Sequence, residues 1–419
     1  LYIYSRGKVL PRFIERKGKD CFILKPRILF ITDSITFNSG FANVIRKLLY
    51  YFHEQGYEVA QQAWAYTGFP PVQAPFPVYP IRYPNGNYFG SDVFPDVCKM
   101  FKPDIIFSLG DCYAVDWLVN NKAIGDAKWI AYVPIDSHPI PSVHQNGMEF
   151  GWQTVLEAPD KVVFMSKYGE TKAREVCNFK NEPVTIYHGY DKAEFYPVDK
   201  LHIKCKNGLD HIETIFSTVC TNSERKQNPR GLEAFALFSE EVGPAKTTMY
   251  MHTPVRDSKE GYFLDQVVKT LNVRNVIFGK GVINGKGSPL SGVRTAYNIA
   301  DAHLLPSSCE GFGLPILESA ACNTPTIGVD YSSIPELVKG HGYLIKPSDY
   351  IYSRPYCMKR PLISVEGIVE AMLEIHNNKE KNIELGRKAR EFAENYTWEK
   401  ILPEFKTLIH EVSELSVND

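Results

Sequence analysis

The chain has 419 residues, 44% of them hydrophobic and 23% charged, with 24 Tyr and 24 Phe. A chain of this length corresponds to about two to four domains, and the composition excludes disordered and fibrous classes. Lys and Arg total 47 against 48 Asp and Glu, which excludes a nucleic-acid binder that relies on bulk positive charge. Residues 1–24 read as a polar extension. Beyond them, short β-branched runs alternate with helical patterns, the signature of βα units on a parallel sheet. Strands are expected over 27–32, 57–63, 104–108, 128–133, 161–165 and 184–187. Phe41, Val44, Ile45, Leu48, Leu49 and Phe52 fall at helical spacing and predict one apolar face against that sheet. The uncharged run 59–81 is long enough to cross a bilayer. Pro70, Pro71, Pro75, Pro77 and Pro80 rule out a spanning helix there and predict a strand followed by a proline-rich loop.

The pattern lapses over 195–206 and restarts, with strands expected over 214–219, 247–252, 275–278, 303–305, 326–329 and 343–345. Two such sets predict an α/β chain of two Rossmann-like, doubly wound parallel-sheet domains facing across a cleft, over residues 25–200 and 201–390. Residues 348–361 read as a loop. Residues 391–419 predict a helix packing back on the first domain, with Trp398, Ile401, Phe405, Leu408, Val412 and Leu415 on one face. Pro403 would kink that helix or mark its start. Nine cysteines without a Cys-x-x-Cys pair fit reduced thiols and a cytoplasmic location.

The most informative stretch is CEGFGLPILESAA, Cys309–Ala321. It follows an expected strand, and open α/β sheets bind ligands at the carboxyl ends of strands. Gly311 and Gly313 let backbone approach a ligand. Pro315 suits the first helical position, which places Glu318 in the first turn. The free amides and dipole of such a helix end favour an anion, such as a phosphate. Glu310 and Glu318 would then flank one small polar ligand. Their spacing taken alone would favour two solvated glutamates, and it is the strand, glycines, proline and helix around them that point to a site.

The loop CTNSERKQNPR, Cys220–Arg230, follows the first strand of the second set. Its adjacent cations Arg225 and Lys226 either grip a diphosphate or decorate a solvated turn. In the first domain Asn38, Ser39 and Gly40 cap the first helix, and Gly40 admits a close phosphate or acceptor. WIAYVPIDSHP, Trp129–Pro139, ends a strand at the cleft and offers Asp136 and His138. Asp111 is a third polar residue at a strand end. The chain contains no Asp-x-Asp and no zinc-like His/Cys spacing, so no metal is expected.

YNIAD (Tyr297–Asp301), PSSCEGFGLPILESAACNTPTIG and IPEL (Ile334–Leu337) resemble the retaining glycosyltransferases of family four and their glycogen-synthase-like relatives. The resemblance continues through VVFMSKYGE (Val162–Glu170), IYHGYDKAEFYPV (Ile186–Val198), RKQNPRGLEAF (Arg225–Phe235) and GYLIKPSD (Gly342–Asp349). It implies the glycosyltransferase B (GT-B) fold and transfer of a hexose-type sugar from a UDP- or GDP-linked donor. The acceptor would be a glycan, lipid or protein-linked group, and the anomeric configuration would be retained. By this resemblance Glu310 contacts hydroxyls of the donor sugar and Glu318 binds the ribose. Amides around Gly311, Phe312, Gly313 and Leu314 contact the sugar and distal phosphate. The family's usual Arg falls at Thr221, so Arg225 substitutes for it beside Lys226, with Arg230 a further candidate. Asp136 or His138 stands where the family often has a His near the reacting carbon. Asn323 replaces a usual Gly, and Lys167 and His188 fit hinge or cap packing as well as a site. No cofactor other than the donor and no nucleic acid are implied. Contact with a membrane surface would rest on Arg46 and Lys47 alone. The alternatives on this scaffold are a sugar-nucleotide epimerase or phosphorylase, or a non-catalytic nucleotide- or glycan-binding module.

Overall fold

The computed structural model describes residues 14–17, 21–82, 85–142, 150–257, 259–280, 282, 289–354 and 356–414. Two parallel sheets of seven and six strands organise them. In space the first runs Val78–Tyr79, Val59–Trp64, Ile28–Asp33, Ile105–Leu109, Lys128–Val133, Lys161–Phe164, Val184–Thr185. The second runs Val276–Phe278, Thr247–His252, Thr214–Val219, Ala302–Leu305, Thr326–Val329, Tyr343–Ile345. Strand order reverses beside Ile28–Asp33 in one lobe and beside Thr214–Val219 in the other. At such reversals the flanking loops part and leave a crevice.

Helices cover both faces of each sheet, so the central strands are buried along nearly their whole length rather than on alternate residues. Ile28, Leu29, Phe30 and Ile31 are all fully buried. The helix Gly40–Glu54 seats Val44, Ile45, Leu48, Leu49 and Phe52 on the first sheet, and Ser39 caps it by accepting from the Ala42 amide at 3.0 Å.

The chain crosses between lobes twice. After Val184–Thr185 it enters the second lobe, where the helix Lys200–Lys206 packs on Leu290–Ile299. It returns at Glu394–Thr397, where the Tyr190 amide donates to the Tyr396 carbonyl at 2.9 Å. The last helix, Trp398–Glu414, then lies on the first lobe, with the Phe405 ring 5.3 Å from that of Tyr132. This helix neither starts nor stops at Pro403, whose ring sits on the exposed side. Leu415 lies outside the described residues.

Two segments depart from the sequence reading. Within residues 1–24, Ile14–Lys17 and Cys21–Leu24 pair as an antiparallel hairpin. Residues 348–361 are not a loop, because Pro347–Tyr352 and Lys359–Ile363 also form an antiparallel hairpin. This second hairpin leaves its own lobe. The Tyr356 ring lies 5.0 Å from that of Trp152 and stacks at 6.3 Å on Tyr113. Met358 is buried in a cluster otherwise made of first-lobe residues. Among the described residues no helix is long and apolar enough to cross a membrane.

Candidate active site

Thr214–Val219 and Ala302–Leu305 are neighbours at the switch point of the second sheet. The loop after the first carries Arg225 and Lys226, and the loop after the second carries Glu310. Sheet order therefore brings the three together. Lys226 Nζ pairs with one Glu310 oxygen, and Arg225 Nη1 lies 3.2 Å from the other. Arg225 also donates to the Cys309 carbonyl and, at 3.4 Å, to Ser307 Oγ. Burial alone would push the Glu310 carboxyl up. The Lys226 and Arg225 charges outweigh it and bring the group down to about 2. Glu310 is thus a permanent carboxylate, fit to accept hydrogen bonds from hydroxyls.

Gly313 takes φ +109°, a left-handed conformation that suits glycine, and the helix Leu314–Ala321 begins immediately after it. Pro315 is therefore the second helical residue rather than the first. Glu318 is the fifth and lies just beyond the first turn where the sequence had placed it. Its carboxyl lines a cavity of about 460 Å³ between the lobes, together with Asn43, Lys47, Leu290 and Leu314. Burial pushes this carboxyl up to about 8, against the pull of the Tyr297 hydroxyl, which donates to it at 3.0 Å. Glu310 and Glu318 do not flank one small space. The first is bound to the cationic loop, and the second faces the interlobe cavity.

The glycines of this turn meet the first lobe. A Cβ on Gly311 would fall 2.4 Å from the Pro134 Cβ, whereas one on Gly40 would find Leu314 Cδ1 at an ordinary 3.7 Å. Gly311 is required by lobe contact, and Gly40 has room for a methyl group. Phe312 offers a ligand only its backbone, since its ring packs 4.7 Å from the buried His188 ring.

Across the cleft the structure separates Asp136 from His138. Asp136 Oδ2 lies 4.0 Å from Arg225 Nε and 3.7 Å from Arg360 Nη2, at the cluster. His138 Nδ1 is instead 2.8 Å from the Tyr168 hydroxyl and 3.0 Å from that of Tyr331. Asp33 ends one strand, and Asp111 and Asp136 follow the next two beside it. Asp111 is pushed up to about 6, by burial first and then by the Asp136 charge. Burial also raises Asp33, opposed by the Ser39 hydroxyl that donates to it at 2.5 Å.

Residues 279–392 match the family model of the glycosyl transferases, group 1. That segment, about a quarter of the chain, is what is similar to the group 1 glycosyl transferases. The N-acetyl-alpha-D-glucosaminyl L-malate synthase of Bacillus anthracis is 25% identical over 65% of this chain and 64% of its own length. A glycosyltransferase of Methanocaldococcus jannaschii is 22% identical over 61% and 60%. The match spans less than two thirds of either relative. The sucrose-phosphate synthase structure from Thermosynechococcus elongatus covers 93% of this chain and 99% of its own, with a TM-score of 0.70 at 17% identity. Anabaena HepE in complex with UDP-glucose covers 92% and 100%, with a TM-score of 0.71 at 15% identity. The fold is therefore GT-B.

Other residues hold the two lobes together. Glu336 of the second lobe accepts from the amides of Lys167 and Tyr168 at 2.9 and 2.7 Å, capping a first-lobe helix with a carboxylate. His188 is packing: it lies 2.9 Å from the Tyr132 hydroxyl, and burial drives it down to about 3. Arg230 does not reach the cluster, since it donates to the Ile363 carbonyl at 2.7 Å. Thr221 is exposed, and Asn323 adopts φ +60° just past the helix end. Sequence reasoning did not find Asp33, Glu336 or Arg360. Glu336 stood inside the IPEL motif, and Arg360 stood in a segment taken for a loop.

Proposed function

We propose that this chain moves a hexose-type sugar from a nucleoside diphosphate donor on its second lobe to an acceptor on its first, with retention. The observation that carries this reading is the Lys226–Glu310–Arg225 cluster beside the start of the helix Leu314–Ala321. As the glycosidic bond breaks, negative charge grows on the departing diphosphate. Two cations and the positive end of a helix dipole stand ready for it, so no reorganisation is needed at that moment. Glu310 accepts from sugar hydroxyls, and Glu318 accepts from the ribose at the cavity edge. Arg225 and Lys226 supply the field that a metal supplies elsewhere, and the reaction is metal-free.

Retention follows from attack on the face that the leaving group vacates, with a donor phosphate oxygen taking the acceptor proton. Asp136 brings a first-lobe carboxylate to this cluster. Lobe contact at Gly311 and Pro134 excludes water and limits donor hydrolysis. HepE, which shares the fold, was crystallised with UDP-glucose, which supports a nucleotide-sugar donor. The free thiols among the described cysteines suit a reducing cytoplasm.

A thermal-shift screen of UDP, GDP, ADP and their sugars tests the reading, because a ligand that binds only the folded state stabilises it. One nucleoside diphosphate and its sugar should raise Tm, and the sugar should be consumed faster with an acceptor than without. If no nucleotide raises Tm, the reading is wrong. Conversion of donor alone into another nucleotide sugar would identify an epimerase.

A further inference from the structure

The hairpin Pro347–Ile363 fixes Arg360 from both lobes. At its base Gln227 donates to the Pro361 carbonyl and Arg230 to the Ile363 carbonyl, each at 2.7 Å. At its tip Tyr356 and Met358 pack into the first lobe, and the Lys359 amide donates to the His138 carbonyl at 2.8 Å. The guanidinium between these anchors is underused. Its Nε is buried without a hydrogen-bond partner, and its Nη2 stands 3.7 Å from Asp136, beyond hydrogen-bond range. Arg225, 4.0 Å from the same Asp136 oxygen, has Glu310, Cys309 and Ser307 as partners.

We propose that Arg360 binds an anionic substituent, a phosphate or carboxylate, on the acceptor; this rests on the glycosyltransferase reading above. A buried donor left unpaired is costly, and the planar guanidinium fork matches the paired oxygens of such groups. The diphosphate of the donor already has Arg225, Lys226 and a helix end. Arg360 sits two residues from Met358, which is buried in the first lobe, and next to Lys359, whose amide bonds the first-lobe His138 carbonyl. Asp136 stands near the fork without filling it.

Calorimetry on the full chain with saturating UDP tests the assignment, using glucose 6-phosphate and glucuronate, each against glucose. Wild type should bind at least one charged sugar about tenfold tighter than glucose, and which one distinguishes phosphate from carboxylate. Arg360→Gln should erase the preference and Arg360→Lys keep part of it, with Tm and UDP affinity unchanged in both. The proposal is overturned if wild type shows no preference, including no binding at all, or if Arg360→Gln keeps it. If UDP fails to bind, GDP takes its place, and if neither binds the glycosyltransferase reading fails. The same sugars titrated without UDP then still decide whether Arg360 is an anion site.

Discussion

Gly311 stands so close to Pro134 that a methyl group on it would lie 2.4 Å from the proline Cβ. One residue belongs to the second lobe's glycine turn and the other to a first-lobe strand end, so the lobes meet at backbone distance. Gly311→Ala must push them apart. Overpacking of this kind costs about 1–3 kcal/mol. The variant should lose at least about tenfold in kcat/KM, the equivalent of 1.4 kcal/mol. Nucleotide affinity, set by the second lobe, should change little. Wild-type transfer in Gly311→Ala would mean that the lobes separate during the reaction.

Glu310→Gln should cut turnover far more than nucleotide affinity, because it replaces a charged acceptor of sugar hydroxyls with a neutral amide and leaves the diphosphate contacts. It also leaves Lys226 and Arg225 without their carboxylate. The folded-state value near 2 lies below the ordinary glutamate value, so the charge of Glu310 stabilises the fold above about pH 4.5. That contribution is lost as pH falls toward 2. Urea unfolding of wild type and Glu310→Gln should show a gap that is constant at neutral pH and closes across that window. A gap independent of pH would place the effect in packing.

Glu318 titrates in the opposite sense. Its folded value near 8 lies above the ordinary one, so the group carries its proton at pH 7 and weighs against the fold as pH rises from about 4.5 to 8. Ribose hydroxyls donating to it would favour the carboxylate. Nucleotide binding at pH 7 should therefore release close to one proton, seen as a dependence of calorimetric heat on the buffer's ionisation enthalpy. Glu318→Gln should weaken donor and free nucleotide together and abolish the buffer dependence. Heats that do not vary with buffer would remove the ribose from Glu318.

Met358 is 1% exposed and anchors the hairpin tip in the first lobe. Met358→Ala should cost about 2–5 kcal/mol, as buried Met truncations do. If the hairpin clasps the lobes, this variant should also raise donor hydrolysis relative to transfer, because a looser cleft admits water. Reduced stability with an unchanged ratio of hydrolysis to transfer would leave the hairpin a packing element only.

The strands over 128–133, 214–219, 247–252, 326–329 and 343–345 were legible to the residue, because they read as short runs rich in β-branched, aromatic and apolar residues between turn signals. The hairpin was not legible. Tyr350, Ile351 and Tyr352 are exposed, and the prolines around them signal a loop, so no apolar pattern marks the pairing. The residues of the cationic cluster could be named from their loops. Their meeting depends on Thr214–Val219 lying beside Ala302–Leu305, a sheet order that local sequence does not encode. The separation of Asp136 from His138 is likewise tertiary, set by what Arg225 and Tyr331 bring from the other lobe. Glu318 was misplaced by one position because the left-handed Gly313 starts the helix at Leu314.

Titration calorimetry of the preferred nucleoside diphosphate and its parent nucleoside, into wild type and Arg225→Gln, tests the donor cradle most directly. A bidentate guanidinium contact to the diphosphate predicts a loss of about tenfold or more for the diphosphate and none for the nucleoside. Equal diphosphate affinity in the two proteins would contradict a donor bound between Arg225, Lys226 and the Leu314–Ala321 helix.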